Sequence, residues 1–226
     1  MKSKLLPAKL PRTIEDSIKA ILLLGYQYLW IDAFCIQQDN AADRHLQIQQ
    51  MDLIYTSAEL TLIAAAGDDF SFGLPGVCSK RRVRYRDAVV GNMCVAYVLT
   101  NVFQSIARSR WFTRGWTFQE GYLPPRRLYF TDSAVLFICN LMQGHEGFQR
   151  YPSESEVYRV GGTLNSQVLG PRSDGHSGPS EVMRSLEQYS ACKLSYDYDA
   201  LNAIRGALNY HRSKKQSTET MWDKPH

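Results

Sequence analysis

The chain has 226 residues, 44% hydrophobic and 12% aromatic, with 26 Lys+Arg against 22 Asp+Glu for a formal charge of +4. Such a composition is ordinary for a folded protein that buries a real core. No run approaches the ~18 apolar residues of a membrane span, and the one dense basic cluster, "SKRRVRYR" (79–86), comes without a helix-turn-helix, zinc-finger or RNA-binding signature.

Neither membrane nor nucleic acid is therefore expected as a partner, and the basic cluster reads as a solvated loop or a charge-protected edge strand. The five cysteines are scattered and lack any C-x-x-C pair. That excludes a disulfide framework and a standard zinc site, and no metal is expected. The opening "MKSKLLPAKLPRT" has too short and Pro-broken an apolar stretch for a signal peptide, so the expected location is cytoplasmic.

In chain order, Thr13 is placed to cap a first helix with Glu15 and Asp16 in its opening turn, Ile14, Ile18, Ile21 and Leu22 at helical spacing, and Gly25 as its stop. "YQYLWIDAFCI" reads as a buried parallel strand ending near Asp32. Asp39 or Asn40 opens a second helix through Ala58, with Leu46, Met51, Ile54 and Tyr55 on one face. "ELTLIAAAG" is a second buried strand, closed by Gly67. This alternation is α/β grammar and implies a parallel pair with a right-handed crossover.

Further on, "VRYRDAVV" and "CVAYVLT" alternate as antiparallel strands joined at Gly91-Asn92. "NVFQSIARSRWFTRGWTFQEGYL" keeps a helical period up to Pro124, and "RLYFT" with "AVLFICN" makes a hairpin. Residues 147–180 are rich in Gly, Ser and Pro and read as a flexible loop or disordered insert. The stretch 181–226 returns to helix, broken near "LSYDYD", with a frayed tail.

"LWIDAFCIQQDNAADRHLQIQQMDLIYTSAELTLIAAAGDD", the loop "GLPGV" (73–77) and "SRWFTRGWTFQEGYLPPRRLYF" together resemble the fungal heterokaryon incompatibility (HET) domain. Leu29, Trp30, Ile31, Asp32, Cys35, Ile36, Gln38, Gln47, Met51, Ile54 and Tyr55 carry the first block. Arg114, Trp116, Thr117, Gln119 and Glu120 carry the last. Gln37 and Asp43 depart from the family's usual Asn and Glu. The strand with a Leu-Ser-Tyr-x-Trp-Gly-like motif that opens the family has no counterpart before Thr13, so residues 1–146 are expected to form an N-terminally truncated HET domain.

The resemblance implies an α/β, TIR-like (flavodoxin-like) partly parallel sheet flanked by helices, with added antiparallel hairpins and a helical C-terminal segment. It also implies a part in fungal non-self recognition and programmed cell death. TIR domains in several branches cleave NAD, and by that likeness Glu120 takes the catalytic position. Trp116, four residues before Glu120 and so on the same face of a helix, and Trp111 would then wall the base, Arg114 or Arg110 would meet the pyrophosphate, and Asp32 would lie at the strand end where doubly wound sheets collect ligands. NAD would be substrate, with no resident cofactor, and the expected partners are further copies of the chain or other incompatibility proteins. The residues alone leave rivals open: Glu120 on a scaffold surface, Asp32 as a loop cap, Trp111 as core, and an inactive remnant. Cys35 reads as a packed thiol, because no histidine is placed as its base.

Overall fold

The apolar spacing of Ile14, Ile18 and Ile21 does produce α1 (Arg12–Leu23), stopped by Gly25 at φ 82°. Its N-cap is Pro11 rather than Thr13; Thr13 lies inside the first turn, where its hydroxyl accepts from the Gly73 N–H at 3.1 Å. Leu22 faces outward at 64% exposure. The computed structural model describes residues 6–78, 81–82, 88–91, 93–95, 102–139, 142–145 and 179–222. Most of the basic cluster, parts of both strands around Gly91 and nearly all of the 147–180 segment lie outside them.

The expected strand after Gly25 is absent: residues 26–31 lie outside either sheet, and Asp32 opens a single helical turn, α2 (Asp32–Cys35). A short apolar run does not itself say what it packs on. Cys35 is exposed rather than packed, its Sγ accepting from the Ile31 N–H at 3.4 Å. Asn40 caps the next helix by accepting from the Ala42 and Asp43 N–H groups, each at 3.1 Å. That helix breaks at Gln50 into α3 (Ala41–Gln49) and α4 (Met51–Ser57), burying Met51 and Tyr55 but leaving Leu46 exposed.

β1 (Thr61–Ala64) follows, and Gly67 at φ 75° turns the chain out of it. A short hairpin, β2 (Ala88–Val90) and β3 (Met93–Val95), turns at Gly91 as expected. The long helix anticipated up to Pro124 is two: α5 (Val102–Arg108) and α6 (Thr117–Tyr122), separated by a bonded turn. β4 (Arg126–Phe130) and β5 (Val135–Cys139) form the expected hairpin, extended by β6 (Gln143–His145). α7 (Pro179–Ser190) and α8 (Ala200–Trp222) follow, with a 3-10 turn at Asp197–Asp199 between them.

The fold is therefore α/β, with a four-stranded mixed sheet in the order β1-β4-β5-β6. Its parallel pair is β1 with β4, Leu62 opposite Leu128, not β1 with residues 26–31. One face packs α1 and the 73–77 loop through Ala20, Leu74 and Phe130; the other carries the larger core of Ile63, Ile106, Phe118, Tyr122, Tyr129 and Leu136. Asp16, 2% exposed, accepts from the Leu74 N–H at 2.8 Å and so ties the "GLPGV" turn to α1.

α8 sets the spacing of the two helices that matter below. Gln119 on α6 donates to the Asn202 carbonyl at 2.9 Å, and Asn209 donates to Asp52 on α4 at 2.9 Å. Gly206 lies between them; a Cβ there would sit 2.5 Å from Gln119 Oε1 and 2.9 Å from Asp52 Cβ. Only glycine allows the three helices to approach this closely.

Candidate functional site

The turn between α5 and α6 is built by hydroxyls that compete with the helical ladder. Ser109 Oγ donates to the Ile106 carbonyl at 2.7 Å and accepts from the Phe112 N–H, while Thr113 Oγ1 donates to the Arg110 carbonyl at 2.9 Å. Thr117 Oγ1 is shared between the Trp111 and Arg114 carbonyls. The segment preceding the 3-10 turn then locks the loop: the Gly115 N–H donates to the Lys193 carbonyl at 2.8 Å and the Lys193 N–H to the Thr113 carbonyl at 2.6 Å. Gly115 leaves room for Leu194, which any Cβ would strike.

This turn swings Trp111 back over the first turn of α6. Its indole N–H donates to Glu120 Oε2 at 2.9 Å. The Tyr55 hydroxyl, reaching from α4, is the second hydrogen-bond partner of that carboxylate. Burial pushes the Glu120 carboxyl up to about 7, with Asp32 adding in the same direction; the bonds from Trp111 and Tyr55 and the charge of Arg114 work against it. Glu120 is thus an acid that titrates near neutrality, and burial together with the charges of Glu120 and Asp32 holds the Tyr55 phenol in its neutral form.

Glu120 keeps partial contact with solvent through a groove of about 710 Å³, a size within the ~300–1,000 Å³ of small-molecule sites. Residues of α1, the 26–32 segment, α4, β1 and the α5–α6 turn line it. Of the residues singled out in the sequence, Glu120, Arg110, Arg114 and Asp32 all line it; the last three are exposed. Trp116 does not line it. It forms the N-cap of α6 and packs against the main core. The helical face expected to unite Trp116 with Glu120 is replaced by the Trp111–Glu120 contact across the turn. Trp111 has both roles, since it also packs edge-on against Tyr129 with ring centroids 5.7 Å apart.

Two lining groups went unread in the sequence, Ser195 and the pair Asp68-Asp69 after β1, while Tyr55 was read as a helix-face residue and not as a partner of Glu120. A Ser-x-x-x-Thr-x-x-x-Thr spacing (109, 113, 117) was the available signal that the helix would break and bring Trp111 forward. The groove carries five carboxylates, Asp32, Glu59, Asp68, Asp69 and Glu120, against the guanidiniums of Arg110 and Arg114. Among the described residues no cluster of His, Cys, Asp or Glu is arranged to hold a metal, and no helix is long and apolar enough to cross a membrane.

The family model described as "Heterokaryon incompatibility protein (HET)" matches residues 2–120. The chain belongs to the HET family. No curated protein and no solved structure matches it. The HET match ends at Glu120, so it takes in the groove's Arg110, Trp111 and Arg114 as well as Tyr55 and Asp32. The hairpin β4–β5, strand β6 and the helices α7 and α8 lie beyond the match. The elements that fix α6 against α4 are therefore outside the HET region whose residues they position.

Proposed function

We propose that this HET protein acts in fungal non-self recognition leading to programmed cell death, in the cytoplasm, as a TIR-like enzyme that hydrolyses NAD to nicotinamide and ADP-ribose. The observation that carries this reading is Glu120, a carboxylate with an acidity near neutral, lining a groove of dinucleotide size beside Trp111, Arg110 and Arg114. Breaking the nicotinamide–ribose bond develops oxocarbenium character on the sugar while nicotinamide leaves as a neutral molecule, so no strong general acid is required. The Glu120 carboxylate stabilises the growing positive charge, and water completes the substitution, releasing one proton. Arg110 and Arg114, both exposed in the groove, face the pyrophosphate. Self-association assembles the competent site.

The working form of Glu120 is the ionised one, so turnover increases with pH through about 7 and levels off above it. The test is NAD consumption by purified protein at oligomer-promoting concentration, beside Glu120→Gln. Loss of NAD in the first and none in the second supports the reading; an unchanged NAD pool in both refutes it. A second reading, a non-catalytic interaction module, is favoured by the groove's excess of carboxylates, which repels an anionic dinucleotide.

A further inference from the structure

A helix ordinarily docks by its apolar stripe. α7 does the reverse: it buries Glu181 and Ser185 and turns Met183 outward at 65% exposure, with Leu186 exposed one turn on. Tyr189 anchors its C-terminal end, the ring meeting Phe118 edge-on at 5.6 Å and the hydroxyl donating to the Ala200 carbonyl at 2.6 Å. The middle of α7 is held through Ser185.

Ser185 meets side chains from two further helices. Its hydroxyl donates to the Tyr122 oxygen of α6 at 3.1 Å and lies 3.2 Å from Nε2 of His211 on α8; the Tyr122 hydroxyl is 3.0 Å from the same nitrogen. Tyr122 is fully buried and His211 is 6% exposed. One imidazole nitrogen thus joins α6, α7 and α8. The other, Nδ1, is buried with no hydrogen-bond partner among the described residues. A neutral imidazole leaves Nδ1 as a bare lone pair and meets both hydroxyls through Nε2. An imidazolium carries N–H at both nitrogens, and the buried donor at Nδ1 would have no acceptor.

The titratable and charged groups facing the ring are Tyr122 from α6, Glu181 and Arg184 from α7, and Tyr210 beside it on α8, with Lys214 Nζ 5.7 Å from the Tyr210 ring centre. Glu181 is the carboxylate among them, and it is already paired with Arg184 at 2.6 Å. The pair therefore offers an imidazolium little net charge. Burial accordingly holds the His211 imidazole below its ordinary value, Glu181 working against that and Arg184 with it.

We propose that this three-helix junction is an acid-released latch: a proton taken from solvent onto His211 Nδ1 opens α7 and the adjoining part of α8 from α6, while the sheet stays folded. The closed junction holds the ring neutral; the open one releases it to water, where it titrates at about 6.5. The latch is therefore fully stable above that pH and weakens as pH falls below it. With a ring that stays neutral while closed, the open population grows about thirtyfold between pH 7.5 and pH 5. Undocked, the 12-residue α7 is too short to keep its own helix, so its amides report the opening. α6 carries Glu120 two residues before Tyr122, so opening also loosens the setting of that carboxylate; this last point rests on the function proposed above, whereas the latch does not.

The experiment follows amide hydrogen exchange of the full chain at pH 7.5 and pH 5, corrected for the intrinsic effect of pH on exchange. Protection across residues 181–190 is expected to fall about thirtyfold, with residues 61–64 and 126–130 unchanged. His211→Gln keeps an amide to meet Tyr122 and Ser185 but takes up no proton, so its α7 protection is expected to be equal at the two pH values. In the unsubstituted protein, a carbon-13 NMR titration of the histidine side chains is expected to show His211 gaining its proton only as α7 loses protection. Four results overturn the proposal: α7 protection that ignores pH, a pH dependence kept by His211→Gln, an equal loss in the sheet, or a charged His211 with α7 still protected. None of these readouts uses NAD or turnover, so failure of the latch and failure of the NAD reading are told apart.

Discussion

Replacing Glu120 with Gln keeps a carbonyl oxygen to accept from the Trp111 indole while removing the ionisation. The native carboxyl is raised from its ordinary 4.5 to about 7, chiefly by burial, so folding favours its protonated form. Its contribution to stability is full below about pH 4.5, declines as pH rises through about 7 and is constant above. At about 1.4 kcal/mol per pH unit, that interval is worth about 3 kcal/mol as an upper bound, the groove's solvent screening part of it. Glu120→Gln should therefore be nearly neutral at pH 4.5 and stabilising at pH 8. The assay is urea unfolding of both proteins at the two pH values, because the difference between them cancels every other titrating group. His211 makes that cancellation necessary: burial holds its imidazole below its ordinary value, so stability from it is lost as pH falls, the opposite trend. A variant that is less stable at pH 8, or whose effect does not change with pH, refutes the view of Glu120 as a buried carboxyl whose ionisation costs stability. A variant that is more stable yet inactive on NAD is the signature of a residue kept for function at a cost in stability.

Trp111→Phe retains the ring packed on Tyr129 but deletes the donor to Glu120, so the Glu120 carboxyl should titrate above its present value of about 7 in a carbon-detected NMR titration; Trp116→Phe should leave it unmoved. Asp16→Ala leaves the buried Leu74 N–H without its acceptor and should cost about 1–3 kcal/mol in urea unfolding, with Asp16→Asn recovering most of it. Gly206→Leu forces α8 away from Gln119 and Asp52 and should lower stability by about 1–3 kcal/mol in thermal unfolding while displacing Tyr55 from Glu120, read as a change in the Glu120 titration.

Local chemistry was legible along the chain wherever a segment's own residues decide its shape. α1 follows from its apolar period, the cap at Asn40 from its side-chain oxygen, and the β4–β5 hairpin from its alternation and turn. The motif residues Asp32, Arg110, Arg114 and Glu120 could be named as candidates before any coordinates. Their gathering in one groove could not, because Asp32 and Glu120 are distant in sequence and meet only through the packing of α4, α6 and β1. The same limit explains Trp111 and Trp116. Helical period put Trp116 on the face of Glu120, yet the hydroxyls of Ser109, Thr113 and Thr117, with the docking of Lys193 on the turn, bring Trp111 against Glu120 instead.

What the sequence determined by itself is the local part: the first helix, the cap at Asn40, the β4–β5 hairpin, and family membership through its ordered motifs. Tertiary structure alone decided which strands pair, which tryptophan touches Glu120, and how acidic that carboxylate is. The reason is physical. Period and capping are set by neighbours a few residues away, whereas burial of a charge and the pairing of a strand edge depend on groups brought from far along the chain.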